Sequence, residues 1–263
     1  MINISSLSAS YDGNSEKKVL EGISLVVDDE KIIIVGPNGS GKTTLVRALL
    51  GLVWNRSGFA LVYGRDPDDI RAELRVSTNL PEVYRLINGS VKDIVKVYAD
   101  LKGHEPDEAF QLISEFSLND VLDRKIYQLS TGQQKAVCNI LALCFKPGLI
   151  LLDEPFESLD QSRRMLYFKL LNSINAAVIL NTHELEIVKK LADWQLYFMF
   201  EGKLYGKFKA SQINELYLNR GEIPDSISVL RTNFGIFSVT LGSGSVRISD
   251  TRDLNSIFDG VMQ

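Results

Sequence analysis

At 263 residues the chain is long enough to bury a substantial core, as one large domain or one domain with a small appendage. Its 45% hydrophobic and 24% charged residues are ordinary for a soluble globular protein. A net charge of −4 offers no basic field, so no nucleic-acid partner is expected. No apolar run approaches the roughly 18 residues needed to cross a bilayer, and the first residues lack a signal peptide's charged start and apolar stretch, so the expected compartment is the cytoplasm.

The chain opens on alternation. Ile2, Ile4 and Leu7, then Tyr11, then a polar Asp-Gly-Asn-Ser turn and Val19, Leu20, Ile23, Leu25 and Val27 predict two or three antiparallel strands. The apolar run Ile32-Ile33-Ile34-Val35 reads as a buried strand. It runs into Gly36-Pro37-Asn38-Gly39-Ser40-Gly41-Lys42-Thr43-Thr44, and a helical pattern follows at Leu45, Val46, Leu49 and Leu50. Strand, glycine-rich turn and helix start are the context in which G-x-x-x-x-G-K-[ST] carries meaning. Glycines at 36, 39 and 41 let successive backbone N–H groups converge on a phosphate chain, and the helix adds the positive end of its dipole. Lys42 is placed for the terminal phosphates and the Thr43 hydroxyl for a magnesium ion. These residues predict a nucleoside-triphosphate site.

A further alternating strand is predicted over 57–65. From Ser90 to Phe145 the period is helical, with stripes at Val91, Ile94, Val95, Tyr98 and Leu101 and at Phe110, Leu112, Ile113 and Phe116. Cys138 and Cys144 fall in one helical segment, neither on the same patch nor within disulfide reach, and read as small core residues. Leu149-Ile150-Leu151-Leu152 is a continuous apolar strand of the kind found in covered parallel sheets. It ends in Asp153-Glu154, at the strand edge where ligands bind in such sheets. Asp153 is the candidate second magnesium ligand, and Glu154 the candidate for polarising a water in line with the γ-phosphate. Helix over 165–174, strand over 177–180, helix over 185–191 and strand over 196–200 follow. His183, just after the strand over 177–180, is expected to hydrogen-bond the γ-phosphate. Beyond about residue 211, Phe237, Val239 and Leu241, a Gly242–Ser245 turn, and Val246 and Ile248 predict a β-hairpin in a small extension.

With these elements in hand, the chain resembles the ATP-binding subunit of an ABC transporter over residues 1 to about 210. Leu129-Ser130-Thr131-Gly132-Gln133 resembles that family's signature sequence, Ser158-Leu159-Asp160 its D-loop and Asn181-Thr182-His183-Glu184 its switch region. Tyr11 stands where the family places the aromatic residue that stacks on adenine. The resemblance implies an α/β P-loop NTPase of ABC type. Such a protein has a mixed sheet core, an N-terminal antiparallel β subdomain and a helical subdomain at about 85–145, here with the small C-terminal β-hairpin extension over 211–263.

It also implies ATP and Mg2+ as cofactors, with Glu154 and His183 catalytic and Thr43, Asp153 and Glu82 at the metal. Tyr11 and residues Gly36, Pro37, Asn38, Gly39, Ser40, Gly41, Lys42, Thr43 and Thr44 hold the nucleotide. Ser130 and the N–H groups near Gly132 open a second anion-binding helix terminus. In the family that signature, Ser130, Thr131, Gly132 and Gln133, acts on ATP held by a second subunit, with Asp160 in the D-loop. The implied partners are therefore a second ATP-binding subunit, identical or different, and membrane-spanning permease subunits at the cytoplasmic face of the membrane.

Three positions depart from the family pattern. Thr131 replaces the usual signature glycine, and Phe156 the usual threonine after Glu-Pro. Glu82, in Leu80-Pro81-Glu82, replaces the Q-loop glutamine; similar Pro-Glu forms in exporter-like branches favour export. The alternative function is a soluble ABC ATPase such as a cofactor-assembly scaffold. The DNA-repair form needs a long coiled coil that the insert cannot hold, and the translation-factor form needs two phosphate loops. A binding subunit without turnover fits poorly with Glu154 and His183 both present.

Overall fold

The computed structural model describes residues 1–11, 18–251, 254, 257 and 258. The expected Asp-Gly-Asn-Ser turn lies outside the described residues. The chain forms two compact units, Met1–Ile70 with Asn181–Gln263, and Arg71–Leu180.

In the first unit, β1 (Ile2–Ser10) pairs antiparallel with β2 (Leu20–Val27). It forms the central strand of a three-stranded antiparallel sheet with β4 (Asn55–Val62). The buried apolar residues of β1 are at 2, 4, 7 and 9, so its alternation needs one extra residue, and the β1–β4 register shifts between Ser5 and Ser8. That is a β-bulge. Ser6 has φ 52° and Gly58, on β4, has φ +91°, and a Cβ on Gly58 would lie 2.2 Å from the Ser6 carbonyl oxygen. Between these strands the chain builds β3 (Lys31–Val35), the glycine-rich turn and α1 (Lys42–Leu49).

The second unit begins with β5 (Val76–Thr78) and the single turn α2 (Pro81–Tyr84). Helix α3 (Val91–Lys102) starts in a Ser90/Asp93 capping box and stops at the left-handed Gly103, with φ 70°; both ends follow from local sequence. After α4 (Asp107–Glu115), α5 (Thr131–Leu143) is again opened by a capping box, between Ser130 and Gln133. Strands β5, β6 (Leu149–Asp153) and β7 (Ala177–Thr182) lie side by side, β5 and β6 parallel. Between β6 and β7 runs α6 (Gln161–Ser173). Cys138 and Cys144 are buried and unbonded to each other; burial pushes the Cys138 thiol up to about 12 and the Cys144 thiol higher still. Neither is a thiolate at neutral pH.

The chain re-enters the first unit at Asn181. After α7 (Leu185–Lys190), β8 (Gln195–Phe200) pairs parallel with β3 and antiparallel with β9 (Lys203–Lys209). The terminal residues build a four-stranded antiparallel sheet from β10 (Leu216–Arg220), β11 (Ser228–Thr232), β12 (Gly235–Leu241) and β13 (Val246–Arg247), in the order β11-β12-β10-β13. The extension does contain a β-hairpin, but it is β11–β12. The strands on either side of the Gly242–Ser245 turn are separated by β10, whose side chains Leu216 and Leu218 share the buried face with Val239. Alternation identifies strands without naming their partners.

Gly58→Ala combines a left-handed φ with a carbonyl in the space of the new methyl. It is expected to cost about 1–3 kcal/mol of stability, read as a lowered denaturation midpoint with an unchanged m-value. Gly64→Ala, whose methyl meets nothing within 4 Å at φ +75°, is expected to cost less.

Candidate nucleotide-binding and catalytic site

The glycine-rich turn is defined by what fastens it. Gly36 N–H donates to the Thr182 carbonyl (3.2 Å) at the end of β7, and Gly202 N–H donates to the Ser40 carbonyl (2.9 Å). The buried Asn181 side chain donates to the Lys42 carbonyl at 2.6 Å, where α1 begins. A Cβ on Gly36 would lie 2.2 Å from the Met199 carbonyl oxygen, and one on Gly41 2.8 Å from that of Val19. At Gly36 and Gly41 the turn is therefore laid directly on backbone, with no room for a side chain. Gly39 and Gly41 have φ +80° and +104°, as a turn that curls its N–H groups inward requires.

Lys42 is almost fully buried, and its ammonium donates to the carbonyls of Gly36 (2.7 Å) and Pro37 (3.0 Å). A cation held over a nest of backbone, at the start of a helix, is a receptor for a polyanion. The residues present thus fit a nucleoside triphosphate. His183 directly follows Thr182, whose carbonyl holds Gly36. Tyr11, half exposed, shares a hydrogen bond with the Thr44 hydroxyl (3.2 Å) and accepts one from Arg47 (3.5 Å). Its ring is thus tied to α1. The Ser40 side chain is buried against Gly36, so its contribution to a ligand is through its backbone.

In the second unit, Glu154 has φ 45°. A non-glycine residue in that region is held there by its surroundings. They are a buried amide relay that the sequence did not announce. Asn79 accepts from Asp153 N–H (2.8 Å) and donates to the Asp153 carbonyl (3.1 Å) and to Asn139 (2.8 Å). Asn139 in turn donates to the Pro155 carbonyl (2.6 Å), and Lys135 to the Asp153 carbonyl (3.0 Å). Both asparagines are essentially without solvent exposure, so the relay fixes Asp153-Glu154-Pro155 in space. Asn79 also stands three residues before Glu82, at the entry to α2. A buried polar pair 60 positions apart leaves no local sequence signal.

The signature segment forms the N-terminus of α5. Ser130 Oγ accepts from Gln133 N–H (3.3 Å), and Gln133 Oε1 accepts from Ser130 N–H (3.2 Å), with Thr131 exposed. Gly132 packs on the D-loop: a Cβ there would lie 2.6 Å from the Ser158 carbonyl oxygen. Asp160 is the N-cap of α6, accepting from Arg163 N–H at 2.9 Å and pairing with its guanidinium at 3.3 Å. An aspartate just ahead of a helical pattern is itself a start signal. Phe156 is fully buried, stacked on Phe168 (4.3 Å) and edge-on to Tyr167 (5.4 Å).

A glycine-rich turn carried from a parallel strand into a helix, with a buried lysine folded back on it, is the mark of a P-loop nucleotide-binding protein. The family model "ABC transporter" matches residues 20–157, and the chain belongs to that family, as an ATP-hydrolysing subunit. It is 32% identical to the manganese transport system ATP-binding protein of Bacillus subtilis, over 69% of this chain and 77% of that one. It is 31% identical to the biotin transport ATP-binding protein of Rhizobium etli, over 70% and 84%. Among solved structures, it is similar to the "putative Cobalt transport ATP-binding protein (cbiO-2)", at TM-score 0.90 and 36% identity, over 99% of this chain and all of that one.

Asn139→Ala removes one amide and strands the Pro155 carbonyl and the Asn79 side chain. The expected loss is about 1–3 kcal/mol of stability. Turnover is expected to fall further than the unfolded fraction explains, checked by hydrolysis rate and urea denaturation of the same sample.

Proposed function

We propose that two copies of this ATPase, or one copy and a related subunit, close around ATP and that this closure drives a separate membrane-spanning partner. The observation that carries the reading is the backbone cradle at 36–41 with Lys42 folded over it. In this reading the loop N–H groups and Lys42 bind the phosphates, and Tyr11 offers its ring to the base. Glu154 polarises the attacking water and His183 hydrogen-bonds the γ-phosphate. Thr43 and Asp153 are hard oxygen donors of the type Mg2+ takes, with Glu82 nearby in sequence to the Asn79 relay; the ion would neutralise charge on the phosphates. Ser130, Thr131, Gly132 and Gln133 would meet the nucleotide of the opposite subunit, with Asp160 keeping the D-loop in place by capping α6.

Residues 1–210 act as the ATP-binding domain, with about 85–145 as its helical insert and 211–263 as an extension. Among the described residues no helix is long and apolar enough to cross a membrane, which supports a peripheral subunit held at the cytoplasmic face by its permease. The Pro81-Glu82 pair favours export. A second reading, uptake of a metal ion, is supported by the full-length likeness to the structure named for cobalt transport and by a 29% identical zinc import ATP-binding protein of Ehrlichia chaffeensis. Flux in vesicles carrying the subunit with its permease decides the direction.

Glu154→Gln is expected to lower ATP turnover by about 100-fold or more while retaining ATP binding. The same variant with ATP and Mg2+ is expected to elute as a dimer in gel filtration. Full turnover in Glu154→Gln, or a monomer under those conditions, overturns the reading.

A further inference from the structure

The terminal sheet has no part in the site described above, yet its contacts lead back to the phosphate loop. Strands β8 and β9 are joined by the two-residue loop Glu201-Gly202, with Phe200 paired to Lys203. Both loop residues have positive φ, 48° and 75°, the requirement of a tight type I′ hairpin. Gly202 suits it, and a Cβ there would lie 2.4 Å from the Val19 carbonyl oxygen. Glu201 does not suit it: glycine, asparagine and aspartate fill this position at lower cost.

Each end of this loop makes a different connection. On one side, Gly202 N–H donates to the Ser40 carbonyl (2.9 Å) inside the phosphate loop, and Glu21 N–H donates to the Gly202 carbonyl (2.9 Å). On the other, the Glu201 carboxylate accepts from Asn233 N–H at 2.8 Å, in the turn between β11 and β12. Beside it, Phe258 stands edge-on to Phe200 (5.0 Å) and stacks on Phe234 (5.5 Å). Phe237 approaches the same ring at 4.7 Å. Nearby, Tyr205 donates to the Arg231 carbonyl at 3.0 Å. The β8–β9 loop is thus clasped by the terminal sheet and in turn braces the phosphate loop.

We infer that Glu201 is a positioning residue for the phosphate loop, through which the terminal sheet sets the affinity for ATP. The unfavourable residue in a hairpin turn is the one that supplies the acceptor for Asn233. By linkage, a sheet that steadies the phosphate loop is itself steadied when phosphate occupies it. The inference rests on the phosphate loop being the ATP site, so Lys42→Ala serves as the reference for that reading.

The experiment measures ATP affinity and turnover in three full-length variants. Glu201→Gly fits the turn better but lacks the carboxylate, and its ATP dissociation constant is expected to rise about three- to tenfold. Turnover at saturating ATP stays within about twofold of the parent, and the melting temperature does not fall. Glu201→Gln keeps an acceptor oxygen and restores affinity. ATP slows hydrogen exchange at the Asn233 amide in the parent and not in Glu201→Gly. Unchanged affinity in Glu201→Gly, or affinity lost equally in Glu201→Gln, overturns the inference, as does an Asn233 amide indifferent to ATP. If Lys42→Ala binds ATP as well as the parent, the phosphate-loop assignment has failed instead.

Discussion

The structure of the first unit depends on a close approach of backbone to backbone. Gly36 and Gly41 rest on the carbonyls of Met199 and Val19 at distances that no side chain survives. Thr182, Gly202 and Asn181 then fasten the loop at three further points. A phosphate receptor made of N–H groups works only when the chain that carries them cannot recoil, because the donors must be preorganised before the anion arrives. Here rigidity comes from strands on either side of β3's end. The loop owes its shape to the sheet as much as to its own glycines.

A second device holds the carboxylates. Asp153 and Glu154 end a strand whose residues are otherwise apolar, and their backbone is held by Asn79 and Asn139. Burying two primary amides is costly unless they are hydrogen-bonded. These donate and accept within one relay and hold the backbone of Asp153 and Pro155, on either side of Glu154. The left-handed Glu154 is the conformational consequence.

Much of this was legible in the chain. The phosphate loop could be read because its chemistry dictates glycines at fixed offsets between an apolar strand and a helix. Asp153 and Glu154 stood out because charge at the end of a buried strand needs a reason. Ser130 and Gly132 stood out as the opening of a helix, and the structure starts α5 there. What stayed hidden depends on distance along the chain. Asn79 and Asn139 look like ordinary polar residues until the fold joins them. Glu201 looks like a charged turn residue, and its φ and its partner Asn233 exist only once the terminal sheet is formed. The strand partners of β12 and β13 were likewise beyond reach, since alternation fixes a face and leaves the neighbour open. Asp160 could have been recognised as an N-cap from its place before a helical pattern.

The most direct measurement of the account is ATP binding by Gly36→Ala beside Gly39→Ala, both verified as folded by circular dichroism. Gly36→Ala places a methyl on the Met199 carbonyl, whereas at Gly39 nothing lies within 4 Å and only φ +80° resists. The account predicts that Gly36→Ala loses ATP affinity by more than about tenfold and by more than Gly39→Ala. A folded Gly36→Ala protein with parental affinity would contradict it.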